Sequence, residues 1–167
     1  MLFRSESGFY NGIQTFKGAA NRLELVAESN NIKIFKDFAH APSKLKATVK
    51  AIQEQYPKKK TIACIELHTF SSLNKDFLPQ YEGSFDKVDV AIVYYNPETL
   101  KHKNLPILSS EDIKVAFKRK NLEVFTNSKE VFSFIKSQIT PNSVLLLMTS
   151  GNFNGLDINK EAQLLIA

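Results

Sequence analysis

The feature that most restricts this chain is the recurrence of short, near-continuous apolar runs, each followed by a stretch of helical periodicity. Thr61-Ile62-Ala63-Cys64-Ile65, Val88 to Tyr95 and Val144 to Met148 are runs of this kind. A strand that is apolar at successive positions must be covered on both faces, unlike the alternating strand of a half-solvated sheet. The segments between them supply the cover. Pro42 to Tyr56 carries Leu45, Val49 and Ile52 at i, i+4 and i+7, with Pro42 in the tolerated first turn and Pro57 ending the pattern. Ser109 followed by Asp112 predicts an N-cap for a helix carrying Ile113, Ala116 and Phe117. Asn127 with Glu130 predicts a capping box for a helix carrying Val131, Phe134, Ile135 and Ile139, stopped by Pro141. Leu122 to Phe125 is a short strand between those two helices. Glu66 to Ser72 reads as a polar loop leading to a helix through Phe77 and Tyr81, the segment with Pro97 and Pro106 reads as a loop, and a last helical stretch follows Gly155. This alternation specifies an α/β fold: a mostly parallel sheet with helices on both faces and right-handed crossovers.

Ahead of these units, Arg22, Leu23 and Leu25 alternate on one side of Glu28-Ser29-Asn30-Asn31, and Ile32, Ile34 and Phe38 on the other. That pattern predicts an N-terminal antiparallel hairpin with an Asn-rich turn. Phe3, Phe9, Tyr10, Ile13 and Phe16 are spaced like one face of a short helix before Gly18, and residues 1–17 are expected to be a linker or the remnant of a preceding domain. At 167 residues the chain is one domain, large enough for a full core. No apolar run approaches the roughly 20 residues of a membrane span, so no membrane partner is expected. The lone Cys64, inside an apolar run, reads as core; it excludes an internal disulfide and fits a reducing cytoplasm. The formal charge of +5 raises nucleic acid as a partner. Lys44, Lys46 and Lys50 scatter along a helix, however, and Lys58-Lys59-Lys60 and Lys118-Arg119-Lys120 fall at helix ends, where cations offset the macrodipole. Solvated lysines are therefore preferred to a nucleic-acid patch.

Ligands of an open parallel sheet bind beyond the carboxyl ends of its strands. Three polar strand ends qualify: Asp37 to Pro42, Glu66 to Ser72, and Thr149 to Gly155. Asp37 and His40 flank a strand-to-helix turn. One reading is structural, with Asp37 bonding turn amides and His40 packing. The other is a site, because Ala41 cannot cap and leaves helix amides free for an anion. In Ser150-Gly151-Asn152-Phe153-Asn154-Gly155 the glycines permit a tight turn, while Ser150, Asn152 and the amides suit a carboxylate or phosphate. His68 and Thr69 stand on the same edge, and His102, in a Lys-rich segment, is given no role. No GxxxxGK[ST] loop, Cys/His metal cluster or GxSxG elbow occurs, which disfavours a self-sufficient ATPase, a zinc enzyme or an α/β-hydrolase.

Four segments together resemble the C-terminal domain of the Mur ligases, the ATP-dependent ligases of peptidoglycan precursors. They are Asn21-Arg22-Leu23-Glu24, Asp37-Phe38-Ala39-His40-Ala41-Pro42, Glu66-Leu67-His68-Thr69, and Leu147-Met148-Thr149-Ser150-Gly151-Asn152-Phe153-Asn154-Gly155. The resemblance runs from about residue 18 onward and makes 18–167 the amino-substrate domain. It implies a Rossmann-like fold and two further domains, for the UDP-sugar and the phosphate loop. It also implies ATP, and magnesium held mainly by the central domain. Within the family the last motif is most similar to the ligases that join L-alanyl-γ-D-glutamyl-meso-diaminopimelate, the murein tripeptide, to UDP-N-acetylmuramate. The L-alanine-adding ligases are the near alternative, and a non-enzymatic nucleotide- or anion-binding module is a further one.

The implied chemistry is phosphorylation of the muramoyl carboxylate, followed by displacement of phosphate by the incoming amine. By matching position, Arg22 and Asp37 would face the adenine and ribose of the nucleotide, and His40 the reaction cleft. His68, Thr69, Ser150, Gly151 and Asn152 would receive the amino substrate, and the resemblance supplies no metal ligand here. Two departures stand out. Ala41 replaces a second histidine found in many members, and the arginines that alanine ligases typically carry near Thr69 and Ser72 are missing. Lys75 is then the sequence candidate for a substrate carboxylate.

Overall fold

The computed structural model describes residues 22–29 and 31–166. The expected linker at 1–17 and the helical spacing before Gly18 lie outside the described residues. The elements are β1 (Glu24–Ser29), β2 (Ile32–Asp37), α1 (Pro42–Gln55), β3 (Lys60–Leu67), β4 (Val90–Tyr95), α2 (Pro97–His102), α3 (Ser110–Phe117), β5 (Leu122–Phe125), α4 (Ser128–Gln138), β6 (Ser143–Met148) and α5 (Ile158–Ile166). They build one six-stranded sheet in the order β1-β2-β6-β3-β4-β5. The hairpin β1–β2 is antiparallel, with Ser29 opposite Ile32, and the remaining pairings are parallel. The chain moves outward from β3 to β5 and then returns to insert β6 between β2 and β3. That reversal opens a crevice at the carboxyl ends of the central strands.

Double coverage follows from the apolar runs. In β3, Ala63, Ile65 and Leu67 face one core with Leu45, Val49 and Ile52 of α1 and Ile113 and Phe117 of α3. Ile62 and Cys64 face the other, with Val131 and Ile135 of α4 and Ile158 and Ala162 of α5. Each strand residue is thus buried whichever way it points, which is why no polar alternation occurs in the sequence.

Several boundaries differ from the sequence expectation, each for a local reason. β3 runs on to Leu67, so Glu66 belongs to the strand and not to the polar loop. The helix expected through Phe77 and Tyr81 is one 3-10 turn, Leu78–Tyr81. The Asn74 side chain there accepts the Asp76 amide at 2.8 Å, a bond that competes with helical pairing. The segment with Pro97 is helical: Asn96 caps it by accepting the Glu98 amide, and Pro97 occupies the first turn, where its missing N–H costs nothing. Asn127 caps α4 by accepting the Lys129 and Glu130 amides. Phe38, expected in the hairpin's alternation, stands beyond β2 and is 46% exposed. Lys58-Lys59-Lys60 lie past α1, whose last turn holds no basic residue. Lys60 Nζ instead donates to the Gln138 carbonyl at the end of α4, 2.7 Å away. Among the described residues no helix is long and apolar enough to cross a membrane.

Candidate functional site

Met148 organises the site. It pairs with Asp37 on one side and with Ile65 on the other, so the chain leaves β2, β6 and β3 at one level and in adjacent positions. The Asp37–Pro42 corner, the Thr149–Gly155 turn and the Glu66–Ser72 segment therefore form a continuous ledge. Hydrogen bonds lace it together. The Thr149 amide donates to the Asp37 carbonyl at 3.0 Å. The Thr149 hydroxyl donates to Glu66 Oε2, and the Gly151 amide donates to Thr149 Oγ1 at 2.7 Å. Asn96 Nδ2, beyond β4, donates to Asn154 Oδ1 at 3.0 Å.

Asp37 ends β2 nearly buried, at 9% exposure. Its Oδ2 accepts the Leu23 amide at 2.7 Å and its Oδ1 the Ala39 amide at 2.6 Å. The carboxylate thus staples the entry of β1 to the turn and brings exposed Arg22, next to Leu23, to this corner. The Thr48 hydroxyl donates to Oδ1 at the long distance of 3.5 Å, and these donors do not exhaust a carboxylate, which has about four lone-pair positions. His40 Nδ1 lies 3.0 Å from the Phe38 carbonyl, and its ring meets Phe38 edge-on at 5.1 Å. The His40 carbonyl accepts the Tyr81 hydroxyl, which ties the corner to the core. Helix α1 then starts at Pro42 with Ala41 as N-cap, no side-chain cap and no acid in its first turn. Its leading amides and the positive end of its dipole are left for water or an anion.

On β3, His68 follows the strand with a 39% exposed side chain, its Nδ1 3.8 Å from Glu66 Oε1. The Thr69 hydroxyl is engaged within its own turn, donating to Ser72 Oγ at 2.9 Å and accepting the Ser72 amide at 3.1 Å. In the third segment, Ser150 Oγ is shielded from solvent and has no hydrogen-bond partner among the described residues. Asn152 Oδ1 accepts the Gly155 amide at 2.9 Å. Phe153 is fully buried against Tyr94 and Phe132, both with ring centroids at 5.5 Å, and so pins the turn to the sheet. Burial raises the Tyr94 phenol pKa, and the negative charge of Glu66 adds to the shift.

Two groups were not singled out from sequence. Glu66, 2% exposed, lies at the centre of the ledge; the signal available was an acid directly after a doubly covered apolar run. Lys103, just after α2, places its Nζ 4.0 Å from the centroid of the Phe70 ring, and Phe70 is 60% exposed. Nothing local in the sequence links those two. Lys75, the sequence candidate for a carboxylate, is paired with Asp112 at 2.8 Å. A concavity of about 940 Å³ lies elsewhere, among Lys46, Lys58, Lys87 and Asp89 at the amino-terminal end of the sheet.

The fold is a doubly wound α/β domain with three polar segments gathered at the carboxyl ends of β2, β6 and β3. The chain belongs to the Mur ligase family: residues 21–151 match the family domain described as "Mur ligase, glutamate ligase domain". The UDP-N-acetylmuramate–L-alanine ligase of Agathobacter rectalis is 28% identical over 149 residues, 88% of this chain and 32% of that protein. The chain therefore spans about a third of the length of this curated relative. Among solved structures, the murein peptide ligase of Psychrobacter arcticus shares the fold, with a TM-score of 0.69 and 19% identity over 96% of this chain and 35% of that one. The MurF ligase of Thermotoga maritima, solved in complex with ADP, superposes with a TM-score of 0.57 and 15% identity over 91% of this chain and 31% of that one.

Proposed function

We propose that residues 18–167 are the amino-substrate domain of an ATP-dependent ligase that joins a murein peptide, L-alanyl-γ-D-glutamyl-meso-diaminopimelate, to UDP-N-acetylmuramate. Residues 1–17 would link it to the preceding central domain. The supporting observation is the alignment of three polar strand ends around Met148 in a chain of this family. ATP supplies activation of the muramoyl carboxylate as an acyl phosphate, with magnesium held mainly by the central domain. The residues present fit one side of a nucleotide: α1 offers uncapped amides, and Arg22 is an exposed cation one residue before the Leu23 amide that Asp37 accepts. In this reading Arg22 and the free lone pairs of Asp37 meet adenine and ribose. His40 presents its Nε2 to the reacting carboxylate while Nδ1 stays on the Phe38 carbonyl. His68, Thr69, Ser150, Gly151 and Asn152 receive the amino component, and the unpartnered Ser150 hydroxyl is available to it. Closure of the other domains over the ledge completes the site. The single buried Cys64 is consistent with work in the cytoplasm.

Peptide is preferred to free L-alanine on two observations. No arginine stands near Thr69 or Ser72, and Lys75 is committed to Asp112. Lys103 is a cation on the Phe70 side of this edge, and the exposed Phe38 and Phe70 offer apolar contact to an extended ligand. The alanine-ligase reading keeps its own support in the curated relative described above. The complete polypeptide that carries this segment, given ATP, UDP-N-acetylmuramate and either acceptor, separates them. Phosphate release and product mass with the tripeptide are expected; product with L-alanine alone overturns the peptide reading, and product with neither overturns the ligase.

A further inference from the structure

Glu66 is a buried carboxylate with only one of its oxygens satisfied. Oε2 accepts the Thr149 hydroxyl and the Phe153 amide, the latter at 3.0 Å. Oε1 accepts no hydrogen bond among the described residues, and His68 Nδ1 stands 3.8 Å from it. Gly151 crowds both groups, because a Cβ there would lie 2.9 Å from Oε1 and 2.9 Å from His68 Cγ. From the other side, the Thr69 turn holds the backbone after His68, with the Thr69 amide on Ser72 Oγ at 3.0 Å and the Leu73 amide on the Thr69 carbonyl at 3.2 Å. Acid and imidazole are thus held together by backbone packed against them.

Oε1, on the His68 side, has no protein donor among the described residues and is open to one. A modest turn of the His68 ring brings Nδ1–H from 3.8 Å into hydrogen-bonding range, about 3 Å. Hydrogen bonds of catalytic pairs are commonly long before substrate arrives. Glu66 then selects the tautomer with the proton on Nδ1, which leaves the Nε2 lone pair free. The His68 side chain is 39% exposed, whereas that of Glu66 is 2% exposed.

Resting on the ligase reading, we propose that His68 is the general base that activates the incoming amine, with Glu66 as its positioning residue. At neutral pH the amine arrives as an ammonium ion, whose nitrogen has no lone pair to give. An N–H bond of the ammonium breaks and its proton passes to His68 Nε2. The freed pair forms the C–N bond at the acyl phosphate carbon, and the C–O bond to phosphate then breaks. The second proton lost as the amide forms leaves with phosphate or to water. The Glu66 carboxyl group faces the Nδ1 side of the imidazolium. The other charged or titratable groups around this pair are Tyr94 and Cys64, both within reach of the Glu66 charge, Lys103, held over Phe70, and Arg22, Asp37 and His40 at the β2 corner; the 149–155 turn contributes none.

Two measurements test this. In the present chain, without substrate, the ring ¹⁵N shifts of His68 should report the Nδ1–H tautomer, and Glu66→Gln should shift it toward Nε2–H. A wild-type ring already in the Nε2–H form overturns the dyad, whatever the reaction. In the complete polypeptide, His68→Asn, which alters a half-exposed side chain and spares the core, should lower kcat about 100-fold or more at neutral pH. That deficit should shrink as pH rises toward the ionisation of the amine itself, and be at least tenfold smaller with hydroxylamine, whose nitrogen is already unprotonated. A loss of equal size at every pH and with both nucleophiles overturns the base role. If the wild-type polypeptide forms neither amide nor hydroxamate, the ligase reading fails instead, and the tautomer measurement tells the two failures apart.

Discussion

Replacing Gly151 by alanine tests whether the ledge is held by close packing. The added Cβ would stand 2.7 and 2.9 Å from the two Glu66 carboxylate oxygens and 2.9 Å from His68 Cγ. Ordinary carbon–oxygen contacts begin near about 3.3 Å, so the turn or Glu66 must move by roughly 0.5 Å. Glu66 has nowhere to go. It is 2% exposed and holds the Thr149 hydroxyl and the Phe153 amide. Overpacking costs about 1–3 kcal/mol, and weakening a bond to a charged acceptor draws on another 1.5–3 kcal/mol. Taking the overpacking with part of one such bond, Gly151→Ala should lose about 2–3 kcal/mol, or roughly 4–12 °C of Tm for a chain of this size. Urea unfolding followed by circular dichroism measures it, with an unchanged m-value showing that stability alone moved. The cost should fall by about half or more in a Glu66→Ala background, where the carboxylate clash is gone and the contact with the half-exposed His68 ring remains. A loss under about 0.5 kcal/mol, or the same loss in both backgrounds, would refute the packing argument.

Phe153→Ala should be among the most destabilising single changes on the ledge, at about 3–5 kcal/mol, because it empties a fully buried position packed on Tyr94 and Phe132. A loss under about 1 kcal/mol in the same unfolding assay would show that the turn is anchored elsewhere. Acid unfolding should include a contribution from Asp112, whose carboxyl is held well below its usual range by the Lys75 ammonium and then by the Ser109 hydroxyl and amide. A depressed pKa stabilises above the unfolded value of about 3.9 and is lost as pH falls through that value toward the folded one. Asp112→Asn should accordingly flatten the stability profile between about pH 5 and pH 2 and leave its shape above pH 6 unchanged; an unaltered acid limb would contradict it.

Local rules carried much of the fold. The apolar runs foretold buried parallel strands because a strand at the centre of a doubly covered sheet has no solvent face, and β5 and the caps at Ser109 and Asn127 follow from short-range hydrogen bonding. The misreadings were also local. Pro97 reads as a breaker or as a helix start depending on whether Asn96 caps it, and Asn74 diverts its own segment from a helix. Of the candidate site, the polar strand ends were legible because strand-to-helix junctions of a parallel sheet converge on one edge.

The sequence by itself thus determined the doubly covered sheet, the edge on which its polar strand ends gather, and, through its motifs, the family to which it belongs. Only the tertiary structure decided which side chains on that edge are already spent and which are open. Asp37 is bound to amides 14 residues before it and two after it, Lys75 is paired with Asp112, and Thr69 is closed into its own turn. Lys103 reaches Phe70 from another loop, and Glu66 meets a turn more than 80 residues away. Insertion of β6 between β2 and β3 creates that last meeting. No short-range pattern encodes it, because the register of Met148 with Asp37 and Ile65 is set by packing along the whole of β6.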